Sequence, residues 1–453
     1  MGDAAAVFKA YDVRGLVPGE LDADLTRSIG GAFARLVRSE EPATTSVAVA
    51  RDMRPSGAEL SAAFTEGVTA LGLDVVDIGL ASTDMLYYAS GHLGIPGAVF
   101  TASHNPAGYN GIKMCLSAAR PIGGDMGLGA MRDDVLAGPG DAYAGRPGSV
   151  TTVDLLDGFA DHVRSFVDVP ALRPLRVIAD TANGMGGLVV PAVFEALPFD
   201  LEVLFAELDG TFPNHPADPI QPENLVDLRE RVLATGADVG LAFDGDADRV
   251  FLVDELGRPV SGTLTTALVA RSVLQREPGA TIVHNLICGS VVPEVIAEGG
   301  GHAIRTRVGH SFIKAVMADE GAAFGGEHSG HYYFRDNWRA DSGLIAALTV
   351  LEELSRSEGT LSGLLEPFDR YAASGEINSR VDDPAAVIDR VAQHYADSPQ
   401  DRLDGLTVEP GGWWFNLRPS NTEPLLRLNL EAADAESCAA RVAEVRALID
   451  AAG

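Results

Sequence analysis

Lysine is nearly missing from this chain. Only Lys9, Lys113 and Lys314 occur, against 31 arginines. Such a pattern fits a codon-usage bias, because arginine can take most surface positions. Where lysine persists, arginine does not serve: a partly buried ammonium group can give up its proton, and a guanidinium cannot. All three lysines lie in motif-like stretches. Cysteine is scarce as well. Cys115, Cys288 and Cys438 are far apart and form no CxxC pair, which supports neither a disulfide framework nor a zinc site. No run of 18 apolar residues occurs, and residues 1–9 hold neither a basic segment nor a long apolar one. These absences point to a soluble, cytoplasmic protein. Net positive charge is also lacking: the formal charge is −30, which speaks against nucleic acid and membrane surfaces as partners. Such a field repels anionic substrates too. Any phosphate site must therefore be a local pocket of Arg, Lys, His and backbone N–H groups.

What is present reads as several α/β units. A chain of 453 residues is too long for one core. Helical periodicity over 22–38, 56–71 and 83–92 alternates with apolar runs at 46–50, 74–80 and 97–102, which predicts a βαβ domain with a largely parallel sheet. The Gly- and Pro-rich stretch 137–148 reads as its exit linker. A second unit has strands at 175–180 and 238–243 and a helix at 223–234. A third has strands at 249–254, 280–286 and 302–306 and helices at 264–275 and 341–355. The remainder changes character, with strands at 374–381, 413–417 and 425–430 and helices at 384–395 and 435–450. The expected architecture is three successive mixed-sheet α/β domains, 1–148, 149–255 and 256–367, followed by a C-terminal α+β domain, 368–453.

Four stretches carry groups with chemistry. Thr101-Ala102-Ser103-His104-Asn105-Pro106 follows a buried strand, so a hydroxyl and an imidazole sit at the lip of a sheet, where such folds place ligands. Ser103 is the candidate phosphoryl carrier; a turn with a capping hydroxyl is the plainer reading. Lys113 lies ten residues on. It is either a surface lysine or a proton carrier with its pKa lowered by partial burial. Asp244, Asp246 and Asp248 alternate with Gly and Ala. Three carboxylates so close need a cation, and oxygen-only ligands favour Mg²⁺, Mn²⁺ or Ca²⁺. A calcium loop of the EF-hand type is disfavoured by Arg249 where its sharp turn wants glycine, and by strand-like flanks. Glu327, Ser329 and His331 alternate in a Gly-bounded loop, suited to the vicinal hydroxyls of a sugar or simply a polar turn. Arg418, Ser420, Asn421 and Thr422 form a donor-rich loop suited to phosphate. His215 and His310, taken alone, read as structural.

These motifs together resemble the α-D-phosphohexomutase family, in particular its bacterial phosphomannomutase/phosphoglucomutase branch. TASHNP at 101–106, DGDADR at 244–249, GEHSGH at 326–331 and RPSNTEP at 418–424 are similar to its four signature loops in order and spacing. FKAYDVRG near the start and VGHSFIK at 308–314 match too. The resemblance implies a central cleft between the domains, a phosphorylated Ser103, and Mg²⁺ on Asp244, Asp246, Asp248 and a Ser103 phosphate oxygen. It implies that Glu327, Ser329 and His331 read the sugar, and that Arg418, Ser420, Asn421 and Thr422 hold the phosphate that does not react. Arg14, Lys113, Arg249 and His310 would line the reacting centre, with Lys113 the better candidate for general acid and base. His104 would hold the phosphate or shape the loop. The implied reaction moves phosphate between the 1- and 6-positions of mannose or glucose phosphate, through a hexose 1,6-bisphosphate, in a monomer or homodimer. A phosphoglucosamine mutase and a sugar-phosphate phosphatase are the alternatives. Tyr109 and His328 look more like the mannose/glucose group. One departure is Ile287 before Cys288, where some relatives carry a lysine.

Overall fold

The computed structural model describes residues 4–138, 143–419 and 425–451, with only the backbone of Asp125. Three α/β sheets repeat one topology. In the first, Ser46–Arg51 lies between the parallel strands Asp74–Leu80 and Gly97–Phe100, and Tyr109–Leu116 returns antiparallel beside Gly97–Phe100. In the second, Arg176–Asp180 lies between Asp200–Leu204 and Val239–Phe243, and Val250–Asp254 returns antiparallel. In the third, Thr281–Asn285 lies between His302–Thr306 and Phe324–Gly326, and Tyr332–Phe334 returns antiparallel. The last antiparallel pair of each unit is a hairpin, and its turn is one of the motif loops. In the C-terminal domain Trp413–Pro419 and Leu425–Ala432 pair antiparallel, and residues 420–424 between them lie outside the described residues. The signature stretches at 101–106, 244–249 and 326–331 are therefore hairpin turns, and a turn leaves its polar groups at a sheet edge while the paired strands below hold it still.

The central strands Ser46–Arg51, Gly97–Phe100, Val239–Phe243 and Thr281–Asn285 form where expected because their apolar runs are buried on both faces, whereas Val250–Asp254, expected to open the third unit, completes the second sheet. Val239–Phe243 and Val250–Asp254 are buried at every position. Helix ends follow their caps: Asp22 accepts from the Leu25 N–H, Ser82 from Met85, Ser261 from Leu264 and Ser342 from Ile345. Two sheets reach past the expected domain limits. Val150–Thr152 pairs with Asp74–Leu80 beyond the limit at 148/149, and Pro259–Val260 pairs with Val250–Asp254 beyond that at 255/256. Short edge strands among glycines and prolines carry little periodicity, so the sequence hides them.

One hydrophobic cluster runs through all three α/β units, from Ala48 to Phe368. The helix Gly343–Arg356, from the third unit, packs on the strand Val250–Asp254 and the helix Leu156–Arg164 of the second. The C-terminal domain has a separate cluster, between Val387 and Ile449.

Candidate active site

The serine and metal loops meet face to face. Ser103 is 5% exposed and its backbone has φ +49°, a left-handed conformation that costs a non-glycine residue free energy. Its N–H donates to Thr101 Oγ1 at 2.9 Å, and its hydroxyl donates to Asp244 Oδ2 at 2.6 Å. His104 Nδ1 lies 3.2 Å from the same hydroxyl. Gly245 makes the approach possible: a Cβ there would stand 2.4 Å from the Ser103 carbonyl oxygen.

The acidic triad is fully buried. Burial, outweighing Arg249, and the neighbouring carboxylates push Asp244 up, and burial with Asp246 pushes Asp248 up. Asp246 is held low despite its burial, chiefly by Lys113. Arg249 donates through Nε to Asp244 Oδ2 at 2.9 Å. Lys113 donates to Asp246 Oδ2 at 2.7 Å and Asp248 Oδ2 at 2.6 Å. Thr83, from the first unit, donates its hydroxyl to Asp246 Oδ2 at 2.6 Å. Asp246 Oδ1 and Asp248 Oδ1 are buried without a hydrogen-bond donor, and ligand atoms of the three aspartates lie within 4.8 Å of one another. Two orphaned oxygens among three buried carboxylates fit a hard divalent cation. The stretch is a strand hairpin, so the EF-hand alternative falls.

The pKa expected for Lys113 is corrected. Burial alone would lower it, but Asp246 and Asp248 outweigh burial and raise it above the ordinary lysine value. Sequence spacing placed Lys113 near Ser103 but could not show that two carboxylates face its ammonium. His310 behaves oppositely. Burial and then Lys314 lower it to about 3, so its imidazole is neutral, and its Nδ1 is buried without a hydrogen-bond partner. His104 is also held neutral, by burial and then Arg249 and Arg14.

The third unit brings its loop to the same centre. Arg249 and His331 form an isolated antiparallel bridge, and the Val250 N–H donates to the Gly330 carbonyl at 3.3 Å. His331 Nε2 is 3.7 Å from Asp248 Oδ1, and its Nδ1 is 3.2 Å from Ser329 Oγ. Glu327 is buried and accepts from Tyr333 Oη at 2.5 Å, Asn285 Nδ2 at 2.9 Å and the Gly309 N–H at 3.4 Å. Those bonds occupy most of the acceptor capacity of one carboxylate. Arg14 donates to Asn105 Oδ1 at 2.6 Å and Asp12 Oδ2 at 2.5 Å, so it ties the serine loop to the N-terminal strand. Arg418 is buried and donates to Glu376 at 3.1 Å. Ser420, Asn421 and Thr422 lie outside the described residues. Ile287, the departure from the family pattern, is buried, and Cys288 Sγ faces the Gly326 carbonyl at 3.6 Å.

Two residues of the centre carry no sequence signal strong enough to single them out. Thr83 looks like a helix start, and Arg54 like one of two arginines in a loop.

Domain models of one family match the chain in order. They are phosphoglucomutase/phosphomannomutase alpha/beta/alpha domain I over 5–128, domain II over 157–257, domain III over 261–371 and the C-terminal domain over 376–448. The chain is 41% identical over 449 residues to a protein named phosphohexose mutases from Xanthomonas campestris, covering 98% of each chain. It is 40% identical over 457 residues to a phosphomannomutase from Salmonella montevideo, again with 98% of each covered. A crystal structure of a phosphoglucomutase/phosphomannomutase family protein from Burkholderia thailandensis superposes with a TM-score of 0.89 at 34% identity, over 99% of this chain and 98% of that one. A chain of repeated α/β hairpin domains with these four loops is a phosphohexose mutase, an isomerase acting on phosphorylated hexoses. It belongs to the phosphoglucomutase/phosphomannomutase family. Among the described residues no helix is long and apolar enough to cross a membrane.

Proposed function

We propose that the protein interconverts the 1- and 6-phosphates of mannose or glucose through a phosphorylated Ser103. The observation that carries this reading is the 2.6 Å hydrogen bond from the Ser103 hydroxyl to Asp244. It joins a serine on one hairpin to a buried acidic triad on another.

Phosphoryl transfer needs in-line positioning and neutralisation of spread charge more than covalent help. Asp244, Asp246 and Asp248 would hold a divalent cation, Mg²⁺ by preference, together with a phosphate oxygen on Ser103. When bound, that cation supplies charge neutralisation at the phosphoryl group. Arg249, fixed on Asp244, adds a second positive charge. In the forward half-reaction the bond between Ser103 Oγ and phosphorus breaks and a bond from a free sugar hydroxyl to phosphorus forms. The hydroxyl gives up its proton and Ser103 Oγ regains one. His310 starts neutral and Lys113 starts as an ammonium, and these two would move the proton between the sugar hydroxyl and Ser103 Oγ. The hexose 1,6-bisphosphate then turns over in the site, and Ser103 takes the other phosphate back.

Glu327, Ser329 and His331 would meet the sugar hydroxyls. Arg418, with Ser420, Asn421 and Thr422, would hold the phosphate that does not react in each half. Arg14 and His104 would steady the serine loop and its phosphate. Closure of the C-terminal domain would exclude water that otherwise hydrolyses the phosphoserine. Relatives named phosphomannomutase support the mannose/glucose preference.

The test is direct. After incubation with glucose 1,6-bisphosphate and Mg²⁺, intact mass should rise by one phosphoryl group, mapped to Ser103. Rates on mannose, glucose and glucosamine 1-phosphates then rank the substrates. Net phosphate release in place of isomerisation would replace the mutase reading with a phosphatase; a fastest rate on glucosamine 1-phosphate would replace the sugar assignment.

A further inference from the structure

Arg54 lies outside every group given a role above. It follows the strand Ser46–Arg51 and is 2% exposed. Its guanidinium donates to four backbone carbonyls of a single loop. Nη1 reaches Pro106 and Tyr109, each at 2.9 Å, and Nη2 reaches Ser103 at 2.9 Å and Asn105 at 2.6 Å. Nε donates to Asp52 Oδ2 at 3.2 Å, while Asp52 Oδ1 accepts the Arg54 N–H at 2.9 Å. The Asp52 N–H donates in turn to the Phe100 carbonyl at 2.8 Å, on the strand that leads into Ser103. A guanidinium has five N–H groups in one rigid plane, and here those groups meet five acceptors.

That arrangement sets the loop's conformation. A peptide unit is planar, with its N–H opposite its C=O. Holding the Ser103 carbonyl on Arg54 therefore turns the His104 N–H to the other side and fixes ψ of Ser103, a residue already in the left-handed region. The second domain backs the arginine. The Phe212 ring lies 5.1 Å from its guanidinium carbon, and a Cβ on Gly210 would stand 2.6 Å from Arg54 Cα. Lysine has the charge but only three donors on a flexible stem, so it cannot span the same four carbonyls.

We infer that Arg54 is the positioning residue of the phosphoryl-carrying loop, its guanidinium holding residues 103–109 in the single conformation that both phosphoryl transfers use. The inference rests on the phosphoserine reading. If Ser103 loosens, the return transfer slows while the bisphosphate remains free to leave, so isomerisation fails by leakage of its intermediate.

The test uses full-length Arg54→Lys and Arg54→Met. Each is incubated with glucose 1,6-bisphosphate and Mg²⁺, phosphoserine is counted by intact mass, and kcat is expressed per labelled site. We expect folded variants by far-UV circular dichroism with kcat per labelled site down about 100-fold, the cost of a misplaced reacting group. KM for the hexose 1-phosphate stays unchanged, and free bisphosphate accumulates. Arg54→Lys fails as Arg54→Met does. Failure of the variants, but not of the wild type, to take up phosphate is the stronger form of the same result. Wild-type kcat per labelled site in Arg54→Lys overturns the inference, and so does a loss explained by unfolding of both variants. A wild-type protein that never carries phosphate on Ser103 overturns the phosphoserine reading itself, a different result from either.

Discussion

The two ends of the candidate cleft are attached to the molecule in different ways. Around Ser103, residues of the first three units meet through buried contacts and share one hydrophobic cluster. Thr83 bonds Asp246, Lys113 bonds Asp246 and Asp248, and Ser342 of the third unit bonds Asp84 of the first at 2.8 Å. The C-terminal domain keeps its own cluster and meets the third unit largely through polar links. Glu431 accepts from the Ser290 N–H at 3.0 Å, Asp404 from the Val308 N–H at 3.2 Å, and Arg305 pairs with Asp401. Polar seams exchange with water and permit relative motion; a shared apolar core does not. The end proposed to handle the reacting phosphate shares the apolar core. The end proposed to hold the distant phosphate is joined by a polar seam, which would suit the proposed acceptance of substrate in two orientations.

The comparison breaks first, if it breaks, at Ser103. Ser103→Ala should lower mutase activity by roughly 10,000-fold or more, as loss of a nucleophile does, with no phosphate uptake by mass. Retained activity would leave the end with the shared apolar core without its proposed function.

A smaller effect tests the seam behind the triad. Asp84 accepts from the caps of two helices, Ser82 and Ser342, and burial pushes its pKa up to about 7. The unfolded chain loses this proton near pH 4. Between those values the folded state holds a proton that the unfolded state has lost. This contribution to stability therefore declines as pH rises through the window and is gone above it. Asp84→Asn should gain stability relative to the wild type between pH 5 and 8, on the order of 2–4 kcal/mol, read from melting temperatures at both values. A difference that does not change with pH would show that this carboxyl is not held protonated.

Thr83→Val removes a hydroxyl that orients Asp246. It should weaken Mg²⁺ activation about 10–100-fold, measured as the metal concentration for half-maximal rate, without moving KM for the sugar phosphate. The least effect belongs to the polar seam. Arg305→Ala should cost less than about 1 kcal/mol of stability; a larger loss of melting temperature would mean that the C-terminal domain is held more firmly than its exposed ion pairs suggest.

Much of this was legible in the chain. Asp74–Leu80, His302–Thr306 and Ala435–Asp450 lie at the limits read from the sequence; in the helix, Asp434 caps the Ser437 N–H and Cys438, Val445 and Ile449 share the buried face. The Asp244, Asp246 and Asp248 cluster and its fit to a cation are read from charge crowding alone. Other features depend on residues far apart in sequence. The state of Lys113 is set by carboxylates more than 130 positions away, and Thr83 acquires its partner only when the first and second units meet. The pairing of Val150–Thr152 is hidden because three exposed residues have no buried face to mark their period.

The helix Gly343–Arg356 has a consequence for biosynthesis. Its first residue sits against the backbone of Arg249, where a Cβ would come within 2.8 Å of the carbonyl carbon, and its length covers a strand and a helix made nearly a hundred residues or more earlier. On the ribosome, the hairpin bearing Asp244, Asp246 and Asp248 therefore emerges long before the helix that shields it. The first two units wait with an apolar face open to solvent until residue 356 has left the exit tunnel, and the C-terminal domain, with its own core, can fold afterwards. A nascent chain arrested short of that helix is the form of this protein most in need of a chaperone.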